Sequence, residues 1–333
     1  MGEEGRRKIN QINRYLGIGF ALIEGYIYSI MFMGKTATPL EYVEISLILT
    51  AGTAFLLYLG DQITNKGLGN GISLIIMAGI VNTMPRMMIE AFNALAINGS
   101  NTFLGILSFV IFILLYIGII VGVIYVQEAE RRVPVQYAKK VVGRRMVGAQ
   151  NTHIPLKLAM AGVMPIIFAS SFMTFPAMIL QIFVKDIATQ TGFWAGVYRF
   201  SIASSNSSVG IGYTIANAIV YLLLILGFTY FYTYAMFNPA EISGNIKRNG
   251  GFIPGIRAGK PTTDYLSSVI SKLSLVGGIF LAIIAILPMI ANFTNLNIAF
   301  GGTSILIVVG VALETIQQLE SQLVTRHYKG FLE

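Results

Sequence analysis

Long apolar runs separated by short polar segments dominate this chain, and their lengths match the thickness of a lipid bilayer. A helix crosses a hydrocarbon core of roughly 30 Å with about 20 predominantly apolar residues. Eight runs of this kind predict eight membrane spans, at 12–33, 40–60, 72–92, 102–126, 157–183, 214–237, 267–290 and 302–322. The pattern therefore predicts an all-α membrane protein, built as a polytopic helical bundle.

The third predicted span is the least regular of the set. Its apolar core covers only residues 72–81, and Asn82, Pro85 and Arg86 then interrupt it. Short spans bounded by Gly or Pro are typical of helices that line a polar path, because an irregular backbone must face protein or water. We therefore expect this span not to face lipid on all sides.

Polar and helix-breaking residues also occur inside other spans. Pro165 and Pro176 are expected to divide the fifth span, and Pro288 to close the seventh. A proline within a helix leaves one backbone carbonyl without its helical hydrogen bond and can kink the helix. This suits helices that separate during function, but a simple irregularity of the helix explains these prolines equally well. Glu24 lies mid-span, where a carboxylate is costly. It indicates either a functional residue or one that faces a water-filled interior or is protonated there.

Composition supports a membrane protein and excludes several kinds of site. Of 333 residues, 55% are hydrophobic and 11% are charged, whereas a soluble domain is roughly 25% charged. Cysteine is absent, so disulfides and thiolate metal sites are excluded. His153 and His327 are far apart, and no H-E-x-x-H, Ser/His or paired-Asp constellation occurs at bilayer depth. We therefore predict no metal site, no cofactor and no enzymatic activity.

Positive charge is distributed unevenly between the two sides of the predicted bundle. If the amino terminus is cytoplasmic, 19 of the 23 Lys and Arg residues fall on the cytoplasmic side. Cationic residues accumulate in the cytoplasmic connections of membrane proteins. The distribution predicts that both termini are cytoplasmic. Membrane orientation is therefore the first explanation of the net charge of +8, and a nucleic-acid partner is the second.

Two of the cytoplasmic connections are long and basic. The first, 127–157, contains seven cations: Arg131, Arg132, Lys139, Lys140, Arg144, Arg145 and Lys157. The second, 239–264, carries Arg257 between Gly255 and Gly259. Far fewer cations would be enough to orient the chain in the membrane. The surplus of cations in these basic hairpins therefore predicts a docking surface on the cytoplasmic side. The simpler alternative is that the charges only set the orientation.

Two other connections differ from ordinary short turns. The segment 60–73 contains four glycines, but it lacks the G-x-x-x-x-G-K-[ST] order of a phosphate-binding loop, so nucleotide binding is not predicted. The outer segment 185–213 is rich in Ser, Asn and Gly and carries Trp194 and Tyr198. Both aromatic residues suit the membrane–water interface, where Trp and Tyr are enriched.

Several of these motifs together resemble the SecY family, the channel subunits of the bacterial protein translocase. The similar stretches are EEGRRKI, GLGNGISLIIMAGIV, ERRVPVQYAKKVVGRR, QNTHIPLKLAMAGVMPIIFASS, FNPAEISGNIKRNGGFIPGIRAGKPT and FGGTSILIVVGV. They cover most of the chain in the family's order and spacing. The resemblance implies a SecY-like inverted-repeat channel fold with about 8 of the family's ten spans present.

The resemblance also implies a division into two pseudo-symmetric halves. Residues 1–93 are expected to form the remainder of the N-terminal half, and 94–333 the C-terminal half with the basic hairpins 127–157 and 239–264. The chain begins where the family's third span should start. The first two spans, the plug segment and one side of the lateral gate are therefore expected to be missing, and this polypeptide alone is not expected to form a sealed, gated channel.

Residue roles follow from the resemblance by position. The family pinches its pore with aliphatic side chains, and the matching residues are Ile76, Ile80, Ile167 and Ile307. An apolar ring resists ions by dewetting and still yields around a passing chain. From the residues alone, ordinary packing is the preferred interpretation of these isoleucines.

The resemblance also assigns the lateral gate, the wall of the channel that opens to lipid. The fifth and sixth spans are similar to one wall of that gate, which places Ser171 and Phe175 there. The first span, with Glu24, belongs to the opposing wall.

The family's partners are also implied. They are SecE-like and SecG-like subunits, the motor ATPase SecA, the ribosome through its rRNA phosphates, signal peptides and nascent chains, and membrane lipid. The implied docking residues for SecA or the ribosome are Arg131, Arg132, Lys139, Lys140, Arg144, Arg145 and Arg257. Because the chain has no nucleotide site, the energy must come from a partner or from the proton-motive force.

The expected function is therefore that of a protein-conducting channel subunit in the bacterial cytoplasmic (inner) membrane. It would serve secretion across the membrane and lateral insertion into it, by gating and not by catalysis. The alternative is a secondary transporter of a small solute, which needs convergent polar groups and broken helices at the membrane midplane. Glu24 and the irregular third span fit that alternative, but two extended basic loops have no place in it.

Overall fold

The computed structural model describes the chain over residues 3–34, 38–97, 102–137, 140–142, 145–147, 151–184, 187, 189–203, 209–293 and 302–329. Within these residues the α-helices are α1 Glu3–Met33, α2 Pro39–Lys66, α3 Gly71–Phe92, α4 Thr102–Glu128, α5 Met164–Phe183, α6 Phe193–Ile202, α7 Ile211–Met236, α8 Pro239–Arg248, α9 Lys260–Phe293 and α10 Gly302–Lys329. A π-helical turn, Asn93–Ile97, follows α3. The strands are β1 Glu130–Tyr137, β2 Lys140–Val142, β3 Arg145–Val147, β4 Asn151–Lys157 and β5 Gly251–Phe252.

The predicted membrane spans are confirmed. Among the described residues, eight helical segments are long and apolar enough to cross a membrane: Gln11–Met33, Pro39–Lys66, Gly71–Ile97, Phe103–Glu128, Met164–Gln181, Ile211–Arg248, Lys260–Met289 and Thr303–Leu323. The irregular third span is one helix with Pro85 inside it. Polar residues and a single proline did not break it, because lipid gives an unpaired backbone no alternative partner and so favours continuous helix.

The boundaries of the fifth and seventh spans differ from the prediction. The fifth helix begins at Met164 and not at 157, because Lys157 ends strand β4 and turns follow it. Pro165 therefore lies in the first turn of α5, where its missing N–H costs nothing, and only Pro176 is interior. Pro288 does not close the seventh span, because α9 continues through it to Phe293.

The second basic segment is not a β-hairpin. Its first part is the helix α8, and only Gly251 and Phe252 are extended. Asn238 caps the helix: its side-chain oxygen accepts from the backbone N–H groups of Ala240 at 3.1 Å and Glu241 at 3.4 Å. Asn at the cap followed by Pro at the first helical position is a strong start signal.

The chain forms two compact units, each assembled from separate stretches. The first comprises Met1–Pro85, Thr174–Ile202 and Val311–Glu333, and the second Arg86–Met173 and Ala203–Gly310. The predicted halves, 1–93 and 94–333, describe an internal symmetry that this division does not test, so they stay a prediction.

In the first unit, α1 and α2 pack against each other along their lengths. The hydroxyl of Ser46 on α2 donates to the carbonyl of Leu22 on α1 at 2.8 Å. Nearer the amino end of α1, Arg14 forms an ion pair with Asp61 of α2 at 2.6 Å. Helices in lipid associate through close packing and interhelical hydrogen bonds, so these polar contacts favour one alignment of α1 and α2.

The glycine-rich connection between α2 and α3 is a tight turn of the first unit. A Cβ on Gly71 would collide with the backbone carbonyl of Gly60, so only glycine allows this approach. The N–H of Gly71 donates to the hydroxyl of Thr64 at 2.9 Å, and Gly69 lies against Thr315 of α10. The glycines therefore serve close packing.

In the second unit, α7 packs against α9. The buried face of α7 repeats at intervals of three or four residues: Thr214, Asn217, Tyr221, Ile225, Thr229 and Thr233. Small and hydroxylated residues at such a seam let two helices approach closely in lipid. The hydroxyl of Thr229 donates to the carbonyl of Ile225 at 2.7 Å, which satisfies a polar group at bilayer depth.

Candidate functional site

Both basic segments contribute strands to one antiparallel sheet, in the order β4-β1-β5. β1 pairs along its length with β4, from Glu130 opposite Lys157 to Gln136 opposite Asn151. On its other side, Gln136 and Tyr137 pair with Phe252 and Gly251 of β5, so 127–157 and 239–264 form one structural element. The sequence predicted two separate basic hairpins.

This sheet is held on a core of its own within the second unit. Alternate residues of β1 and β4 point inward and pack on α8 and the first turns of α9. The buried residues of this core are Val133, Val135, Leu156, Ile246, Ile253, Leu266, Val269 and Ile270. Each fully buried aliphatic side chain stabilises the fold by about 1.5–3 kcal/mol. The core therefore holds the sheet firmly on α8 and α9.

The first two predicted docking residues lie at the start of β1. Arg131 and Arg132 are both exposed, and they point to opposite faces of the strand. The Nε of Arg132 contacts Glu130 Oε1 at 2.7 Å, and the Arg132 side chain is 72% exposed. A surface pair of this kind contributes little to stability, so Arg132 remains available to a partner.

Arg257 occupies the loop that connects β5 to α9. Gly255 and Gly259 flank it at φ of +82° and +109°, where other residues are strained. The hydroxyl of Thr262, a residue only 1% exposed, donates to the carbonyl of Arg257 at 2.8 Å. The hydroxyl of Ser243 on α8 donates to the carbonyl of Gly259 at 3.0 Å. The loop backbone is thus anchored from two helices.

The Arg257 side chain is exposed, and no ion pair joins it to another part of the chain that the structure describes. Described cations elsewhere in 127–157 and 239–264 are exposed as well: Arg131, Arg132, Lys157, Lys247, Arg248 and Lys260. They outnumber the exposed acids of the same region, which are Glu128, Glu130, Glu241 and Asp264. Because the loop backbone is already anchored, little conformational entropy of the loop is lost when the Arg257 guanidinium binds an anionic partner.

Removing the Thr262 hydroxyl tests this anchoring. Thr262→Val keeps the shape but leaves the Arg257 carbonyl without its bond, a loss of about 1 kcal/mol in a typical case. We expect faster amide hydrogen exchange in residues 255–259 and weaker partner binding, with the spans unaffected. Thr263→Val is the matched control, because its hydroxyl reaches the Gly259 carbonyl only at 3.4 Å. Equal exchange in both variants would show that Thr262 does not anchor the loop.

The other predicted docking residues lie between β1 and β4. Lys140 belongs to β2 and Arg145 to β3, which pair as an antiparallel ribbon. Lys139 and Arg144 lie outside the described residues. The backbone therefore shows a strand pair at this position, and the roles of these four cations stay a prediction.

The predicted pore residues are distributed over three helices. Ile76 and Ile80 are one turn apart on α3, in the first unit, and Ile76 is 40% exposed. Ile167 on α5 and Ile307 on α10 belong to the second unit, and both are half-buried. None of the four is a fully buried packing residue, but their assembly into a ring stays a prediction.

The predicted gate residues lie on α1 and α5. Ile167, Ser171 and Phe175 follow one another at intervals of one helical turn on α5, and the Ser171 hydroxyl donates to the Ile167 carbonyl at 2.8 Å. Phe175 is 55% exposed. Glu24 is exposed on α1 in the first unit. The α5 residues thus share one face, and the opposing wall stays a prediction.

Sequence reasoning missed two features of the site. The start of α8 carried a readable signal, because Asn238, Pro239 and Glu241 match the preferred residues at a helix start. The anchoring hydroxyls of Ser243 and Thr262 carried none, because Ser and Thr are common in polar connections. Their role depends on the tertiary placement of the loop between α8 and α9.

The model of the SecY family matches residues 1–316. The chain belongs to the SecY family. It is therefore a multi-pass membrane protein and a subunit of a protein-conducting channel, and it is not an enzyme. The predicted channel function is confirmed, and nothing in the comparisons supports a small-solute transporter.

Individual relatives agree with this membership in the SecY family. The chain is 45% identical to the protein translocase subunit SecY of Halalkalibacterium halodurans over 342 residues, covering 100% of this chain and 76% of the relative. A solved SecY protein, whose plug domain stabilises the closed state of the translocation channel, has a TM-score of 0.66 at 21% identity, covering 98% and 77% of the two chains. Sec61 in a canine ribosome–channel complex has a TM-score of 0.59 at 19% identity, covering 98% and 76%. The last two likenesses establish the fold.

Proposed function

We propose that the three-stranded sheet and the Arg257 loop form one docking surface for a cytosolic partner, either the ribosome or the motor ATPase SecA. The pairing of β1 with β5 supports this most strongly, because it unites the two basic segments on one buried core. A channel with this fold, Sec61, occurs in a complex with the ribosome, which supports the ribosome as one partner.

Both partners suit the chemistry of this surface. Arginine presents a planar fork that binds phosphates or carboxylates with two hydrogen bonds, so rRNA and acidic protein side chains are alternative ligands. Arg131, Arg132 and Arg257 are the described arginines whose side chains suit this role, with Lys139, Lys140, Arg144 and Arg145 as further candidates. The energy for transport comes from the partner or from the proton-motive force.

In this function the docking surface and both termini lie on the cytoplasmic side of the bacterial cytoplasmic membrane. The excess of cations on that side supports the placement, with 19 of the 23 Lys and Arg residues. SecE-like and SecG-like subunits complete the channel, and signal peptides, nascent chains and lipid meet it at the gate. In this arrangement Ile76, Ile80, Ile167 and Ile307 pinch the pore, and Glu24, Ser171 and Phe175 line the gate.

Labelling with a membrane-impermeant thiol reagent tests this orientation. The chain contains no cysteine, so single substitutions report unambiguously. Thr152→Cys on β4 and Thr191→Cys before α6 are a matched pair, since both threonines are exposed. In intact cells we expect reaction of Thr191→Cys only, and after lysis reaction of both. Reaction of Thr152→Cys in intact cells would place the docking surface outside and end the proposal.

A further inference from the structure

The short helix α6, Phe193–Ile202, was not predicted, and it exposes large aromatic side chains. Phe193 is 77% exposed and Trp194 is 59% exposed, and their rings contact each other edge to face with centroids 5.4 Å apart. Trp194 is the single tryptophan of the sequence. Such a pair is costly in water, because it leaves a large apolar area unburied.

Other residues of α6 already pack against the protein. Ala195 is buried with Leu180 of α5 and Ile187, and Val197 and Tyr198 pack against the same cluster. This core holds the helix close to the end of α5, within the first unit. Tyr198 therefore packs against the protein, and Phe193 and Trp194 are the strongly exposed aromatic residues of α6.

The cluster that holds α6 includes Leu180, which lies at the end of a membrane span. α5 crosses the membrane over Met164–Gln181, and Phe183 at its end is 80% exposed. Because Ala195 of α6 packs with Leu180 near the end of this span, α6 is expected at the level where the span leaves the hydrocarbon. At that level Trp is enriched, because its ring is apolar and its N–H is polar.

A cation in the last turn of α6 fits the same location. Arg199 donates from Nη2 to the carbonyl of Gln190 at 3.2 Å, which ties the end of the helix to the segment before it. The guanidinium retains further donors for lipid phosphates. Aromatic residues combined with a basic residue on a short helix are typical of helices that lie in the membrane interface.

We propose that α6 is an interfacial helix that inserts Phe193 and Trp194 among the lipid headgroups and so fixes the depth of α5 in the bilayer. The ligand is the phospholipid surface, contacted by two rings and by the guanidinium of Arg199. The helix α6 thereby has a membrane-anchoring role.

The native tryptophan reports directly on this proposal without any substitution. The full chain is reconstituted into phosphatidylcholine–phosphatidylglycerol vesicles that contain lipids brominated near the headgroup or near the chain end. We expect Trp194 fluorescence to fall most with bromine near the headgroup, to fall less with deep bromine, and to resist aqueous acrylamide. Two references in a Trp194→Phe background calibrate depth: Leu115→Trp at the centre of α4 and Thr152→Trp on the polar sheet, both at exposed positions.

Each other outcome contradicts the proposal. Quenching by acrylamide without quenching by bromine, as expected of Thr152→Trp, would place α6 in water. Protection from both quenchers would mean that protein covers the rings. Strongest quenching by deep bromine, as expected of Leu115→Trp, would place Trp194 in the hydrocarbon and not among the headgroups.

Discussion

Reversing one charge, Arg257→Glu, is expected to weaken ribosome binding by the complete channel about tenfold, a loss of ~1.4 kcal/mol. The Arg257 loop is anchored at Thr262 and Ser243, so the variant keeps its backbone and presents the opposite charge at the same place. A carboxylate repels rRNA phosphates and acidic residues alike, so SecA binding is expected to fall as well. The ribosome affinity should also lose about one unit of its logarithmic salt slope, because one phosphate contact is gone.

Lys247→Glu is the matched control for Arg257→Glu. Lys247 is an exposed cation in the last turn of α8, so its reversal makes the same change in net charge on the same basic element. If only net charge matters, both variants lose affinity equally. If neither partner's affinity changes for Arg257→Glu at any salt concentration, Arg257 is not a docking residue.

The second large effect is expected from Ile307→Asn in the complete channel. Ile307 on α10 is half-buried, whereas the adjacent Ile305 and Leu306 are fully buried. If Ile307 belongs to the pore ring, water borders it on both sides, and an amide there lowers the barrier to wetting without a desolvation cost. We expect folding to remain intact, the resting ion leak to rise several-fold, and a defective signal sequence to be tolerated better.

Two comparisons make the Ile307→Asn result interpretable. Ile283→Asn on α9 places the same amide at a residue that is 57% exposed within a span, where it meets hydrocarbon, so it should reduce the amount of folded protein instead. Glu24→Leu changes the proposed gate while leaving the constriction unchanged. The measurements are ion conductance of reconstituted channels without substrate and export of a reporter with a defective signal. Unchanged leak with loss of stable protein would make Ile307 an ordinary packing residue.

Much of the site was predictable wherever the signal was local in sequence. The exposed arginines of β1 and the Gly-flanked Arg257 stand out as charge within polar connections, and the structure places all three at exposed positions. The helix α8 was also predictable, since Asn238 and Pro239 mark its start. The Gly-rich, basic composition of 239–264 is also typical of a hairpin, and only Gly251 and Phe252 are extended.

The fifth span shows where an apolar pattern misleads. Residues 158–163 continue the apolar run of α5, yet they form the turns that follow β4. Leu156 of β4 is buried in the core that the sheet shares with α9, and the carbonyl of Leu158 lies so close to Gly277 of α9 that a Cβ there would collide with it. Hydropathy identifies burial but does not distinguish lipid from a protein core.

The sequence by itself determined the eight spans and the position of the basic segments, because each depends on runs of adjacent residues and on the cost of unpaired backbone in lipid. Only the tertiary structure decided that Gln136 pairs with Phe252, that Arg14 meets Asp61, and that Thr262 anchors the Arg257 loop. The first two contacts join residues far apart in the chain, and the third requires the loop to be folded onto α9. No local pattern encodes them, since their geometry exists only once helices and strands have packed.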